Sequence, residues 1–347
     1  MTKNSIDEIL NMSAPTSSLR LSYSRVSAFD QDGPMTLKHK RILKGEHLDF
    51  GSIVDDIISE EDLTKRYVVF DGKIPTAMSL TLAEYMIESG IEHPNTDELL
   101  EIIKSLKLWG TIKKEETLIK KYTSELQEYV MAKVKCNKLN MKLVSKELMF
   151  EAEELAGIIL THPHTKDELN EAEYDLVFQH ELNFEYNGFR FLSFVDIIKI
   201  DHENKTIQPF DLKTGSGTSG EWTKSFIKYR YYFQYILYTI GLVNIAEQLD
   251  LKGYTVLPFK FMFAGRTEKL PIIFEVHPLW DEAAINGFTT VAGYKYRGLD
   301  DLLNQIDWHW DNQIFNISKE AHESNGVLTI SSDVISTVDA SLMSNKK

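Results

Sequence analysis

Asp211 and Lys213 stand two residues apart in the segment PFDLKTG (209–215). In a strand, side chains at i and i+2 point to the same side, so carboxylate and ammonium would converge on one spot. Upstream, Asp196 sits in FLSFVDIIKI with Phe194, Ile198 and Ile200 on its own face. A carboxylate among large apolar residues is costly unless it is paired or holds a metal. If a hairpin joins the two segments, Asp196, Asp211 and Lys213 come within a few ångströms of one another. Neighbouring carboxylates repel, and a hard divalent cation relieves that repulsion. Mg²⁺ takes oxygen ligands and keeps several waters, so two or three carboxylates and a backbone carbonyl suffice to hold it. The adjacent lysine can position or deprotonate a water, or steady charge developing on a phosphate. The competing reading of Asp211 and Lys213 is an edge-strand ion pair of little energetic consequence.

The flanking pattern supplies the elements that would place these groups. VFQHELNFEY, FRFLSFVDIIKI and TIQPFDLKT are short, aromatic and β-branched, separated by Asn187-Gly188 and by DHENK (201–205), which are hairpin signals. After the turn-rich GSGTSG the spacing predicts one long helix from about Trp222 to Leu249, then strands in YTVLPFKFMFA and LPIIFEVHP and a last helix near 281–304. Upstream, Ile53, Val54, Ile57 and Ile58 have helical spacing, and mostly helical patterns run from the break at DGKIPT (71–76) to about residue 160. The expected fold is α/β, a central mixed sheet flanked by helices with a helical, Lys-rich insertion over about 75–160. The expected organisation is a loose N-terminus (1–20), one domain over 21–330 and a frayed, Ser-rich tail (331–347).

With 347 residues the chain can bury a full core, and its 43% hydrophobic and 26% charged content is that of a globular protein. A single cysteine, Cys136, excludes an intramolecular disulfide, an all-cysteine zinc site and a four-cysteine iron–sulfur cluster, and fits a reducing cytoplasm. No apolar run reaches the roughly 20 residues of a membrane helix, so no membrane partner is expected. No GxxxxGK[ST] loop is present, so no nucleotide cofactor is expected. The net charge of −14 argues against nucleic acid, but 11 lysines face only 5 glutamates between Glu101 and Lys146. A basic stretch on an acidic body can guide a phosphate backbone. The plainer reading of those lysines is a solvated helical face.

Asp196, a hairpin, then Asp211-Leu212-Lys213 resembles the signature of the PD-(D/E)XK nuclease superfamily. Gln234 and Tyr238, four apart in FQYILY, resemble the QxxxY motif of its RecB-like branch. FGSIVDD is similar to that branch's GxxxH helix, with Asp55 where the histidine would stand and Asp56 as a rival. HELNFEYNGFRFLSFVD resembles its strand carrying a glutamate, here Glu181. LSYSRVSAF…GP, ILTHPHTKDELN and KYRYYFQYILYT resemble segments of RecE-type phage and prophage exonucleases. These matches run in order from about Leu21 to Leu242, while 75–145 and everything past 275 match nothing in the family.

The resemblance implies a restriction-endonuclease-like core and a Mg²⁺-dependent exonuclease on linear double-stranded DNA, working in recombination in a bacterial cytoplasm and encoded by a phage. Mn²⁺ would substitute for Mg²⁺. Asp55, Asp196, Asp211 and the Leu212 carbonyl would be metal ligands, with Asp196, Asp211 and Lys213 catalytic. Gln234, Tyr238, Glu181, Ser24, Arg25 and Arg230 would contact DNA or organise the site. Implied partners are double-stranded DNA ends, further copies of the chain in a ring and a single-strand annealing protein. Alternatives are an endonuclease, or a nuclease fold that binds DNA or a protein without cutting. A CRISPR-adaptation or AddB-type nuclease is disfavoured, since those carry an iron–sulfur cluster on several cysteines. His162 and His164 flank a proline and lack further ligands, so a loop role is expected. Trp308-His309-Trp310 reads as core or interface, with stacking on bases as the alternative, and Ser24 as a helix cap in competition with phosphate binding.

Overall fold

A computed structural model describes residues 19–39 and 45–328. The chain divides into two compact units, one made of Met1–Leu43 with Thr161–Lys347 and the other of Lys44–Leu160. The expected insertion lies wholly inside the second unit, which begins earlier than residue 75 and takes in the helix carrying Asp55. The tail expected from 331 lies outside the described residues, as does the expected loose N-terminus except Leu19 and Arg20, of which Leu19 is buried.

Strands in chain order are β1 (Arg20–Leu21), β2 (Tyr67–Phe70), β3 (Lys142–Ser145), β4 (Asp175–Tyr186), β5 (Phe189–Asp201) and β6 (Thr206–Gly215). They continue with β7 (Thr255–Val256), β8 (Lys260–Gly265), β9 (Pro271–Glu275), β10 (Phe288–Thr289) and β11 (Lys295–Tyr296). The first unit is built on a seven-stranded mixed sheet whose main path runs β1-β5-β6-β8-β9, with β4 on β5 and β7 on β6. The β4–β5 hairpin turns at Asn187 and Gly188, both with positive φ (48° and 78°), the backbone that a tight type I′ turn requires. The expected antiparallel meander is present. The step from β6 to β8 is parallel, bridged by the helical segment between them. Helix Tyr231–Gly241 lies in the core of this unit among Leu182, Phe191, Ile198 and Phe261, and most of its residues are buried.

Two helix expectations are corrected. Instead of one helix from Trp222 to Leu249 there are three, Trp222–Lys228, Tyr231–Gly241 and Ile245–Gln248. The first break falls at Arg230, whose φ of 61° is left-handed and whose guanidinium donates to Asp30 and to the carbonyls of Ile227 and Lys228. The last helix, expected over 281–304, is two helices, Leu279–Asn286 and Leu299–Asn312, with the β10–β11 hairpin between. Glycine fixes the start of the second: a Cβ on Gly298 would lie 2.2 Å from the Ile285 carbonyl oxygen.

The second unit is helical, as expected, around buried Leu82, Met86, Ile103, Val130 and Cys136, with a parallel pair β2–β3 that periodicity did not indicate. Helix Thr96–Ser105 opens with a capping box between Asn95 and Glu98. Among the described residues no helix is long and apolar enough to cross a membrane.

Candidate active site

Asp196 and Asp211 sit where two strands part. One edge of β5 pairs with β4 along nearly its whole length. Its other edge pairs with β6 only from Ile197 to Asp201, and with β1 only at Arg190 and Phe191. From Leu192 to Val195, and at Asp196 itself, this second edge has no strand partner among the described residues. On the β6 side the pairing to β5 ends at Phe210, while β6 continues with β8 from Phe210 to Gly215. The strands therefore fork at the two aspartates. A fork leaves backbone groups without a ladder, and side chains satisfy them. Asp196 Oδ2 accepts the Leu212 N–H at 2.8 Å, and the Tyr238 hydroxyl donates to the Phe194 carbonyl at 2.9 Å.

Asp211 is buried, with only 2% of its side chain exposed, and the Lys213 ammonium lies against its Oδ2. Its Oδ1 accepts from the Gln234 amide, which is itself buried. Lys213 retains 19% exposure, so the group reaches the surface through the lysine and the partly buried Asp196. Burial pushes the Asp211 carboxyl up to about 7; Lys213 pulls it down, and the Asp196 carboxylate beside it raises it again. Burial lowers Lys213, but Asp211 and Asp196 outweigh it and hold the ammonium well above the ordinary lysine value. Lys213 is therefore a fixed positive charge that donates hydrogen bonds and keeps its proton. Its ammonium also lies 5.3 Å from the centre of the Tyr231 ring, which stacks on Trp222.

The two carboxylates share one cation, and burial leaves Asp211 under-compensated. Gln234 Oε1 is buried and accepts no hydrogen bond, while the Lys213 ammonium is the partner of Asp211 Oδ2. That is the chemistry of a site suited to a hard divalent ion, which needs one or two carboxylates, a carbonyl and waters. Among the described residues no group of three or more His, Cys, Asp or Glu side chains could hold a metal ion; the oxygens that the fork itself offers are those of Asp196, Asp211 and the Leu212 carbonyl.

One residue of this group carries no motif. Gln179 lies on β4 opposite Asp196 and donates from Nε2 to Asp196 Oδ1 at 3.2 Å. The β4–β5 ladder pairs Phe178 with Ile197 and His180 with Val195 but skips Gln179, whose φ is +48°. A left-handed glutamine inside a strand costs about 1–3 kcal/mol. Tyr231 was also missed, hidden within the uniformly aromatic run YRYYFQY.

The other expected residues divide clearly. Gln234 and Tyr238 are both buried and organise the fork. Glu181 is exposed on β4 opposite Phe194 and accepts from Asn183. The cap of helix Tyr23–Asp32 is Ser22, not Ser24; Ser24 is exposed, 3.0 Å from the Ser22 hydroxyl. Arg25 donates to the carbonyls of Arg20 and Leu37, and Arg230 to Asp30, so both guanidinium groups tie the fold together. Asp55 lies on helix Glu46–Ile58 of the second unit and is partly buried. Its rival Asp56 is committed to Arg66 and Tyr67 within that unit. His162 and His164 occupy a turn, with His164 Nδ1 3.1 Å from the Pro271 carbonyl oxygen. His309 is buried with Nδ1 2.6 Å from the Ile314 carbonyl oxygen, and Trp310 packs against Phe315.

No family model and no curated relative matches the chain. Among solved structures, the crystal structure of a candidate exonuclease from Eubacterium rectale is similar to it at 15% identity, over 92% of this chain and 94% of that one, with a TM-score of 0.42.

Proposed function

We propose that the chain is a divalent-metal-dependent deoxyribonuclease, working as an exonuclease on linear double-stranded DNA. The observation that carries this reading is the buried Asp211, paired with Asp196 and Lys213 at the strand fork and under-compensated in charge. Asp196, Asp211 and the Leu212 carbonyl would hold Mg²⁺ or Mn²⁺, which would supply an activated water and shield the phosphate. Lys213, held protonated, orients that water and offsets the charge that gathers on the phosphate in the transition state. Gln234 fixes the plane of Asp211, and Asp196 is fixed through the Leu212 amide. The exonuclease mode, the recombination role, a ring of copies and an annealing partner come from the motif resemblance and belong to the proposal with it.

The test is digestion of linear double-stranded DNA in Mg²⁺ and in Mn²⁺ beside a covalently closed circle, with wild type and Lys213→Ala. Loss of the linear substrate alone, reduced about 100-fold or more by the substitution, is the expected result. Cutting of the circle would make the chain an endonuclease. The limited carboxylate set favours a second reading, a fold that binds DNA or protein without cutting. That reading expects no digestion in either metal and no Mn²⁺ affinity to be lost in Asp211→Asn.

A further inference from the structure

We propose that Gln179 is a positioning residue that orients Asp196 for the divalent cation; the inference rests on the metal-dependent reading above. Three features meet at this residue, the first two of them aspects of one backbone distortion. It is the one residue skipped where the β4–β5 ladder is otherwise continuous from Phe178 to Tyr186. Its backbone is left-handed, a conformation that glycine or asparagine takes readily and glutamine does not. Its amide reaches across to Asp196 Oδ1 at 3.2 Å, although the residue is exposed and no burial forces that contact.

Together with the Leu212 amide on Oδ2, the Gln179 amide leaves Asp196 one donor on each oxygen. A carboxylate oxygen has two lone pairs, so each keeps one for a metal. With both oxygens anchored, the carboxylate cannot rotate about its last torsion. It presents the same edge towards Asp211 before any ion arrives. Held this way, the two aspartates differ in their support. Gln234 holds Asp211 from the helix side, and Gln179 holds Asp196 from the neighbouring strand. Outer partners of this kind set metal affinity without touching the metal. An exposed glutamine on a strand would otherwise gain nothing from a left-handed backbone.

Two substitutions separate positioning from structure. Gln179→Gly relieves the backbone and removes the amide. Gln179→Glu keeps the length and replaces the donor with an acceptor facing Asp196. Mn²⁺ binding is read by electron paramagnetic resonance and calorimetry on the full chain, beside thermal unfolding without metal and the Mn²⁺ dependence of digestion. The expected result is an Mn²⁺ Kd raised roughly 10- to 100-fold in both variants, with a metal-free Tm in Gln179→Gly equal to or above wild type. The Mn²⁺ concentration for half-maximal digestion should rise by the same factor, and saturating Mn²⁺ should recover rate. Variants that bind Mn²⁺ as wild type does, while Asp211→Asn loses it, overturn the role of Gln179 and leave the metal site standing. A lower Tm with unchanged Mn²⁺ affinity overturns it in favour of a structural part. Wild type that binds no Mn²⁺ overturns both this role and the nuclease reading.

Discussion

At Asp211, chemistry and stability oppose each other. The carboxyl is at home in this buried place when protonated, and its value is raised from 3.8 to about 7 in the folded chain. The sign follows from linkage: between those values the unfolded chain releases a proton that the folded chain keeps. The group's favourable contribution is therefore intact below about pH 4 and is lost as pH rises towards 7. Integrated over that interval, the loss is roughly 4 kcal/mol at most. Asp211→Asn removes the titration. In urea unfolding of the metal-free protein at a series of pH values, the variant should gain on wild type between pH 4 and 7 and be the more stable of the two at pH 7.5. Mg²⁺ should close that gap by stabilising wild type alone. A difference between the two proteins that does not change with pH would remove Asp211 as the strained group. Lys213→Ala removes the cation that lowers the Asp211 carboxyl, so its destabilisation should grow as pH rises. Its activity must therefore be compared at a temperature where it is folded.

At the scale of elements, the fork between β5 and β6 makes the site, and it is only partly written in local sequence. The hairpins were legible because Asn187-Gly188 and DHENK are strong turn chemistry between β-branched runs. The convergence of Asp196, Asp211 and Lys213 was legible because strand periodicity and one hairpin suffice to bring them together. The place where pairing stops was not, because it depends on β1 arriving beside Arg190 and Phe191 from 170 residues away in sequence. The left-handed Gln179 was not legible either, since the position itself holds a glutamine and not the Gly or Asn that such a backbone favours. The break at Arg230 was hidden for a related reason: it is held by Asp30, a contact far off in the chain, and no glycine or proline stands between Trp222 and Ile240. The fork needs a partner for the Phe194 carbonyl, and Tyr238 provides it. Tyr238→Phe keeps the ring and removes only that donor. It should cost about 1–3 kcal/mol in chemical denaturation, and hydrogen exchange should quicken at the amides of β5 on its fork side. No loss of stability would mean that water serves that carbonyl equally well.

For the whole molecule, a net charge of −14 must be reconciled with the polyanionic substrate proposed above. Only a local concentration of positive charge can do so, and the densest one lies between Glu101 and Lys146. Several of its lysines are tied to carboxylates: Lys104 to Glu115, Lys138 to Glu92, Lys142 to Asp49 and Lys146 to Asp71. Such pairs are already neutralised and release few counterions on binding. Lys113, Lys114 and Lys120 are exposed and flank the short helix Glu115–Ile119. If they meet DNA, each neutralises about one phosphate, and the slope of log affinity against log salt falls by about 0.9 for each one lost. The triple variant Lys113→Gln, Lys114→Gln, Lys120→Gln should therefore bind linear double-stranded DNA more weakly at low salt, with a slope shallower by roughly 2 to 3. Fluorescence anisotropy across a salt series of about 50 to 300 mM reads both quantities. Mn²⁺ affinity should stay at the wild-type value, because none of the three lysines is a proposed ligand. A slope equal to that of wild type would return these lysines to the plain role of a solvated face, and would require the acidic body to meet DNA through the cation at Asp196 and Asp211 alone.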